Sequence, residues 1–146
     1  MNASEKLIRD IVTEVLRETM GSAEADFVKR KDPSGVLMVQ TSTVKCEPFE
    51  QAGVSLKDIT TLEETPRMGC GIMELAPNTD FEWTLTYDEW DYVISGVLDI
   101  EIDGRIVRGN PGDVIYIPKN THIHFKSTPG TRYAYFVYPA NWSSQS

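Results

Sequence analysis

The sequence predicts a mainly β protein, an antiparallel barrel or sandwich preceded by a single helix. Short segments with the two-residue alternation of half-buried strands fill most of the chain from residue 27 onward. Turn signals separate these segments at regular intervals, and only one stretch has a clear helical period. The length of 146 residues suits one domain. We therefore divide the chain into residues 1–26, a helix and linker, and residues 27–146, a β domain.

Residues 4–19 are predicted to form an amphipathic helix. Ser4 can cap its start, and Gly21 ends the pattern. The small and polar residues 21–26 then form a linker. This helix can dock on its own barrel or on a dimer mate, or it can present its apolar face to another protein. The apolar positions that repeat at helical spacing are Leu7, Ile8, Ile11, Val12, Val15 and Leu16.

The β domain is predicted to contain eight strands. One of them runs into the turn Asp103-Gly104, which is typical of a tight hairpin. Other turns are expected at Pro33, Pro77, Pro111 and Pro129. The predicted strands are Val36–Thr41, Gly71–Leu75, Phe81–Thr86, Tyr92–Ile94, Val97–Ile102, Val114–Ile117, His122–Phe125 and Tyr133–Tyr138.

The overall charge limits the partners that this chain can have. Its 14 Lys and Arg against 22 Asp and Glu give a net charge of −8, which repels phosphate backbones and anionic lipid. We therefore expect neither nucleic acid nor a membrane as a partner. The chain shows no signal-peptide pattern and no apolar run long enough to span a bilayer. Its only cysteines, Cys46 and Cys70, are predicted to be reduced thiols of a cytoplasmic protein.

The densest group of chemically active residues lies between residues 82 and 92. On a strand, Glu89 and Asp91 would share one face and Trp90 the other. If the two carboxylates point into a barrel, burial and mutual repulsion raise both pKa values. They would then form an acid/base pair or a Mg²⁺ site. The alternative is a solvated acidic loop with aromatic residues packed beneath it.

The only two histidines are another candidate site. The spacing of His122 and His124 places both on one face of a strand, which suits two ligands of a metal that still needs a third. The alternative is an exposed pair without a metal. The chain contains neither a phosphate-binding GxxxxGK[ST] loop nor a GxSxG nucleophile elbow.

Two motifs resemble those of the cupin superfamily. The run from Gly112-Asp113 to Pro118 is similar to the second cupin motif, and Glu89 followed by Gly96 is similar to the end of the first. The resemblance implies a double-stranded β-helix, or jelly-roll barrel. It also implies that most metal-ligand positions are lost, so that no transition metal is expected to bind tightly. The residues at those positions are Trp83 and Leu85 (or Glu82 and Thr84 with a longer gap), and Ile123, while Asn120 stands where the second motif has glycine.

Four further blocks resemble the ethanolamine-utilisation protein EutQ family: residues 45–49, 66–75, 87–93 and 138–142. The resemblance implies a cupin homodimer associated with the bacterial microcompartment for ethanolamine use. It also implies a transferase that binds ATP with Mg²⁺ and has acetate kinase activity. Residues 4–19 would then be similar to the helices that carry cargo to microcompartment shell proteins. The alternative is a non-catalytic cupin that binds a small ligand or assists microcompartment assembly.

Six residues are assigned to the expected site. Glu89, Asp91 and Tyr87 are the candidate catalytic residues, although the direction of Tyr87 in its turn is open. Trp83, Tyr116 and Arg67 are the candidate substrate-binding residues, with Trp83 and Tyr116 expected to point into the barrel and Arg67 to reach phosphate. The competing interpretation is that these aromatic side chains only fill the barrel, as in small barrels without ligands.

Overall fold

The computed structural model describes residues 27–144, which divide into two units, residues 27–45 and residues 46–144. The predicted helix over residues 4–19 and its linker lie outside the described residues. Within 27–144, no helix is long and apolar enough to cross a membrane.

Residues 27–45 form a hairpin of two antiparallel strands, β1 (Val28–Lys31) and β2 (Leu37–Gln40). In the turn, the Asp32 carboxylate accepts a hydrogen bond from the backbone N–H of Ser34 at 2.9 Å. Strand β2 was expected from the sequence. Strand β1 was not expected, because three of its four residues are basic and its sequence therefore shows no alternation of apolar and polar residues.

Residues 46–144 form ten strands arranged in two antiparallel sheets. A six-stranded sheet has the order β10-β7-β12-β5-β4-β3, and a four-stranded sheet has the order β6-β11-β8-β9. The strands are β3 (Glu47–Pro48), β4 (Val54–Asp58), β5 (Gly69–Leu75), β6 (Thr79–Leu85), β7 (Asp88–Gly96), β8 (Leu98–Ile102), β9 (Arg105–Gly109), β10 (Val114–Ile117), β11 (Thr121–Ser127) and β12 (Thr131–Tyr138).

The core lies between the inner faces of these two sheets. Alternation along each strand turns every second side chain inward, so that β7, β11 and β12 each contribute one buried and one solvent-facing row. Tyr133 of β12 and Phe125 of β11 stack with ring centroids 6.1 Å apart, which joins the two sheets. The barrel-like cupin architecture expected from the sequence is therefore present, and it fixes which residues of β7 face the interior.

Every strand predicted for this unit is present: β10 has the predicted bounds, and the others have shifted ends. The largest shift is in β7, which begins at Asp88 rather than Tyr92, because the carboxylates at its start obscure the strand pattern. The hairpin at Asp103-Gly104 is confirmed: both residues have positive φ, 50° and 77°, and the turn joins β8 to β9. Strands β3, β4 and β9 were not predicted.

Gly96 ends β7 at a position that only glycine fits. Its φ is +75°, and a Cβ built there would lie 1.9 Å from the backbone oxygen of Gly130. The neighbouring β12 has a register irregularity between Arg132 and Tyr133. The glycine of the Glu89-to-Gly96 motif is therefore required by the close passage of two backbones.

We expect Gly96→Ala to lower the free energy of unfolding by about 3 kcal/mol or more, since it adds a backbone clash to an unfavourable φ. Gly104→Ala is the matched control, because Gly104 has φ +77° and open space around it. The control should lose only about 1–2 kcal/mol. Denaturant unfolding measures both, and equal losses in the two variants would contradict the role given to the Gly130 carbonyl.

Candidate functional site

Two carboxylic acids are buried side by side on β7. Glu89 is 5% exposed and Asp91 is 0% exposed, and Asp88, Trp90 and Tyr92 point the other way. Strand β7 lies between β10 and β12, so its inward face is covered by the core of the barrel. The solvated-loop interpretation of these residues is therefore wrong, and both carboxyl groups face the interior.

Among residues 27–144, the Asp91 carboxyl has no hydrogen-bond partner other than the neighbouring Glu89 carboxyl. Burial raises the pKa of Glu89 to about 7. Burial and the neighbouring Glu89 raise the pKa of Asp91 well above its usual value. At neutral pH the two acids therefore retain at least part of a shared proton, which provides the interior with a hydroxyl donor.

Tyr87 supplies a second polar group beside Glu89. It is buried, and its hydroxyl oxygen accepts a hydrogen bond from the indole N–H of Trp83 at 2.8 Å. Burial and the charge of Glu89 raise the pKa of Tyr87, so the hydroxyl keeps its proton. Because its oxygen is the acceptor for Trp83, the Tyr87 O–H remains available as a donor.

A small cavity adjoins Glu89 inside the barrel. Its volume is about 20 Å³, which is room for about one water molecule. The walls are mostly aromatic, with Phe49 and Phe81 6.0 Å apart between ring centroids. The lining residues are Phe49, Leu56, Met73, Phe81, Trp83, Tyr87, Glu89, Phe125, Tyr135, Val137 and Trp142.

Aromatic side chains separate this cavity from a hollow of about 370 Å³ at the surface. Trp142 lies 5.5 Å from Tyr87 and 6.3 Å from Trp83 between ring centroids, and all three line both spaces together with Phe49. Sequence reasoning did not assign Trp142 or Phe49 to the site, although both belong to the blocks that carry the family resemblance.

Two of the predicted substrate-binding residues are not at the cavity. Tyr116 was expected to point inward, and this is wrong: it is 46% exposed, and its hydroxyl donates to the Asp88 carboxylate at 2.9 Å. In β10 it is Ile115 and Ile117 that face the core, so the alternation runs opposite to the expectation. Arg67 is exposed and lines a separate cleft next to Phe136. Trp83 does line the cavity.

The proposed Mg²⁺ site at Glu89 and Asp91 does not fit the structure. Mg²⁺ prefers six oxygen ligands and usually keeps several waters. Glu89 and Asp91 supply two buried carboxyl groups, and burial raises both pKa values, which favours protonated carboxyls over the charged ligands that a cation needs. We derive no step from a metal ion at this pair.

At the positions where cupins have metal ligands, the structure places the residues that the sequence indicated. Leu85 and Ile123 are buried apolar residues of the barrel interior, while His122 and His124 lie on the opposite face of β11. Glu89 is thus the remaining ligand type at those positions. Asn120 takes the place of the second-motif glycine with a φ of 68°, a left-handed conformation that asparagine tolerates better than most residues.

Comparison with known proteins shows which family this chain is similar to. The family described as ethanolamine utilisation protein EutQ matches residues 2–144. The chain is 44% identical over 152 aligned residues to a protein of Clostridioides difficile named acetate kinase EutQ, covering 99% of this chain and 95% of that protein. A Salmonella typhimurium protein of the same name is 33% identical, and the match covers 97% of this chain and 64% of that longer protein.

Solved structures agree with the fold. The structure of the Clostridium difficile EutQ protein superposes with a TM-score of 0.79 at 47% identity, covering 83% of this chain and 93% of that one. A cupin of Shewanella frigidimarina described as RmlC-like, at 14% identity, superposes with a TM-score of 0.59 and covers 70% and 89%. That second likeness supports the cupin fold alone.

The buried acids should make stability depend on pH. The pKa of Glu89 is about 7 in the fold against 4.5 as the ordinary value, so the folded state holds a proton that the unfolded chain releases. Stability is then lost as pH rises from about 4.5 through about 7. The parent should lose on the order of 3 kcal/mol more than Glu89→Gln between pH 5 and pH 8.

Denaturant unfolding across this pH range measures the difference. Asp88→Asn is the control, since Asp88 is an outward neighbour whose pKa is lowered by hydrogen bonds from the Lys119 backbone and Tyr116. Because its pKa lies below the ordinary value for aspartate, this control should leave the slope unchanged. Parallel slopes for the parent and Glu89→Gln would contradict the assignment of a raised pKa to Glu89.

Proposed function

The chain belongs to the ethanolamine utilisation protein EutQ family, and on this premise we propose that it is an acetate kinase that transfers a phosphoryl group from ATP to acetate. The acetate carboxylate binds between Glu89 and Tyr87. The observation that carries this proposal is the burial of the Glu89 carboxyl together with the Tyr87 hydroxyl at a cavity with apolar walls. The names of the curated relatives support the same activity.

Two hydrogen-bond donors lie at the proposed acetate site. Protonated Glu89 and the Tyr87 hydroxyl each offer one O–H to a carboxylate, and a hydrogen bond to a charged acceptor is stronger than a neutral one. The methyl group of acetate then packs against the rings of Phe49 and Phe81. This combination of apolar walls and a few polar groups suits a small organic ligand.

The reaction needs no general base, because acetate is ionised at neutral pH. One acetate oxygen attacks the γ-phosphorus, and the bond from that phosphorus to the bridging oxygen of ADP breaks. ADP leaves with the electron pair, and the total charge is unchanged. The work of the protein is positioning and exclusion of water. Mg²⁺ would accompany ATP as part of the substrate, and the surface hollow beside Trp142 is where the nucleotide phosphates would approach.

Acetate exceeds the present volume of the cavity, so binding requires the aromatic wall to move. Trp142 is the side chain that we assign to this movement, because it lines both the cavity and the hollow and belongs to a short helical turn. The same small volume favours a second candidate function. If the wall does not open, the aromatic residues are packing, and the protein is a non-catalytic cupin that binds ligands elsewhere or assists assembly.

We expect Glu89→Met, which removes the donor but keeps an extended side chain, to lower kcat/KM for acetate at least about tenfold. Glu89→Gln keeps a neutral donor and should retain activity. In the parent, the KM for acetate should rise as pH increases through about 7, because Glu89 becomes charged and repels the carboxylate. Glu89→Gln should not show this rise. The acetate kinase activity of all three proteins is measured by capturing the acetyl phosphate product with hydroxylamine.

Trp90→Phe is the control for this experiment, because Trp90 lies on the outer face of the same strand. It should keep the activity and the pH profile of the parent. Activity in Glu89→Met equal to that of the parent would place the chemistry outside the barrel. A parent without any acetate-dependent turnover would favour the non-catalytic function, and acetate binding by NMR would then separate a binding protein from an assembly factor.

The proposed state of the protein is a homodimer formed through the outer face of the six-stranded sheet. This face carries a continuous apolar patch on three neighbouring strands, which we call the aromatic face. The rings of Trp90 and Tyr116 lie 5.1 Å apart on it, and Asp88 beside them already binds the Tyr116 hydroxyl. Because the patch consists of apolar and aromatic side chains, a second copy of this acidic chain can pack against it without bringing like charges together. The exposed residues of the patch are Trp90, Tyr92, Ile94, Val114, Tyr116, Phe136 and Tyr138.

Light scattering should give the parent twice the chain mass of 16.4 kDa, and Tyr92→Asp should shift it toward a single chain. A buried carboxylate without a partner strongly opposes association. Circular dichroism checks that the variant keeps its strands. A parent mass of one chain at every concentration would contradict the dimer.

Location in an ethanolamine microcompartment is part of the same proposal. The segment expected to contact shell proteins, residues 4–19, lies outside the described residues.

A further inference from the structure

We propose that Glu82, His122 and His124 form a Zn²⁺-binding site on the outer face of the four-stranded sheet. We call these three residues the outer triad. One ligand atom of each lies within 4.8 Å of the others. Their side chains leave the sheet on the side opposite to the barrel interior, so this site is separate from the acetate site and does not depend on it.

The pairing of β6 with β11 brings the triad together. His122 and His124 are two residues apart on β11, and Ile123 between them is buried. In the antiparallel register, Glu82 of β6 lies directly opposite His124. The sequence showed the two histidines but not the third ligand, since Glu82 is 40 residues away along the chain.

The distances suit a tetrahedral ion. The Nε2 atom of His122 and Oε2 of Glu82 form a hydrogen bond of 2.6 Å, which a bound ion would replace, and Nε2 of His124 lies 3.9 Å from the same oxygen. Zinc bonds of about 2.0–2.2 Å to nitrogen and oxygen place neighbouring ligand atoms roughly 3.3 Å apart. The two observed separations lie on either side of this value. Small side-chain rotations at an exposed surface are therefore enough to accommodate the ion.

A second layer of hydrogen bonds orients both imidazoles. The Nδ1 atom of His124 lies 2.6 Å from the Asp80 carboxylate, and Nδ1 of His122 lies 2.5 Å from the Thr84 hydroxyl. In the metal-binding form each Nδ1–H donates to this partner, and each Nε2 lone pair faces the ion. A carboxylate behind a histidine ligand is a recurrent feature of zinc sites. Asp80 and Thr84 are therefore positioning residues.

The surrounding charge also favours a cation. Asp80, Glu82 and Glu101 lie around the histidines, and Lys126 is the cation that faces them from β11, 3.0 Å from Glu101 and 3.7 Å from Asp80. Two imidazoles and one carboxylate are a ligand set typical of zinc with an open fourth position for water. Because Glu82 and His122 are exposed, the ion exchanges with solvent, and protein as isolated should carry much less than one equivalent.

Calorimetric titration of the chelator-treated full chain with Zn²⁺ tests the site. We expect saturable binding of one ion per chain, weakened at least about tenfold in His122→Gln, His124→Gln and Glu82→Gln. Asp80→Asn should weaken binding about 10- to 100-fold without removing a ligand. Asp103→Asn is the charge-matched control on an exposed turn, and it should bind like the parent. Glu89→Gln should also bind like the parent, because Glu89 is inside the barrel.

NMR of the parent provides a measurement that needs no variant. Zn²⁺ should shift the Nε2 resonances of both histidines and leave both Nδ1 atoms protonated. Absence of saturable binding, or full binding by the His122→Gln/His124→Gln double variant, would overturn the site. Identical affinities of Asp80→Asn and Asp103→Asn would remove the positioning role of Asp80 and, with it, the argument from the second layer of hydrogen bonds.

Discussion

The burial of two carboxylic acids side by side on β7 is the constraint on which the functional interpretation depends. Successive side chains of β7 point to opposite faces of the sheet. Because Trp90 and Tyr92 point outward, Glu89 and Asp91 point inward. Isolated buried charges are costly, so the pair lowers its cost by keeping a proton. The barrel thereby holds a donor where an ordinary cupin would hold a metal ligand. The rest of the site is arranged around this pair, with Tyr87 beside it and aromatic rings above it.

The two outer faces of the barrel differ in chemistry for the same geometric reason. On the six-stranded sheet, the outward rows of β7, β10 and β12 are mostly aromatic and aliphatic, with Asp88 and Arg132 as the charged members. On the four-stranded sheet, the outward rows of β6 and β11 are histidines, carboxylates and a lysine. A face of the first kind is suited to another protein surface, and a face of the second kind to ions and water. The interior, the aromatic face and the outer triad thus provide three independent surfaces on one small barrel.

The aromatic wall determines whether the barrel interior can admit a ligand. Phe49, Trp83 and Trp142 come from distant parts of the chain, and together they reduce the cavity to about 20 Å³. Such a cavity is stable when closed, because the rings pack against one another and the Trp83 indole has Tyr87 as its acceptor. The acetate kinase proposal requires this wall to open, and the non-catalytic alternative requires it to stay closed. The two proposed functions therefore differ in whether the Trp142 side chain moves as well as in their chemistry.

The sequence by itself determined the fold class, most strands, the Asp103-Gly104 hairpin and the placement of Glu89 and Asp91 on one face of a strand. These features are local: they follow from a period of two residues and from backbone conformations that glycine and asparagine favour. Tertiary structure decided what depends on register between strands. Tyr116 and Arg67 were misplaced because nothing local indicates which face of β10 is covered or where the loop before β5 lies. Glu82 could not be joined to His122 and His124, nor Trp142 to Tyr87, because pairing and packing brought those residues together across long stretches of chain.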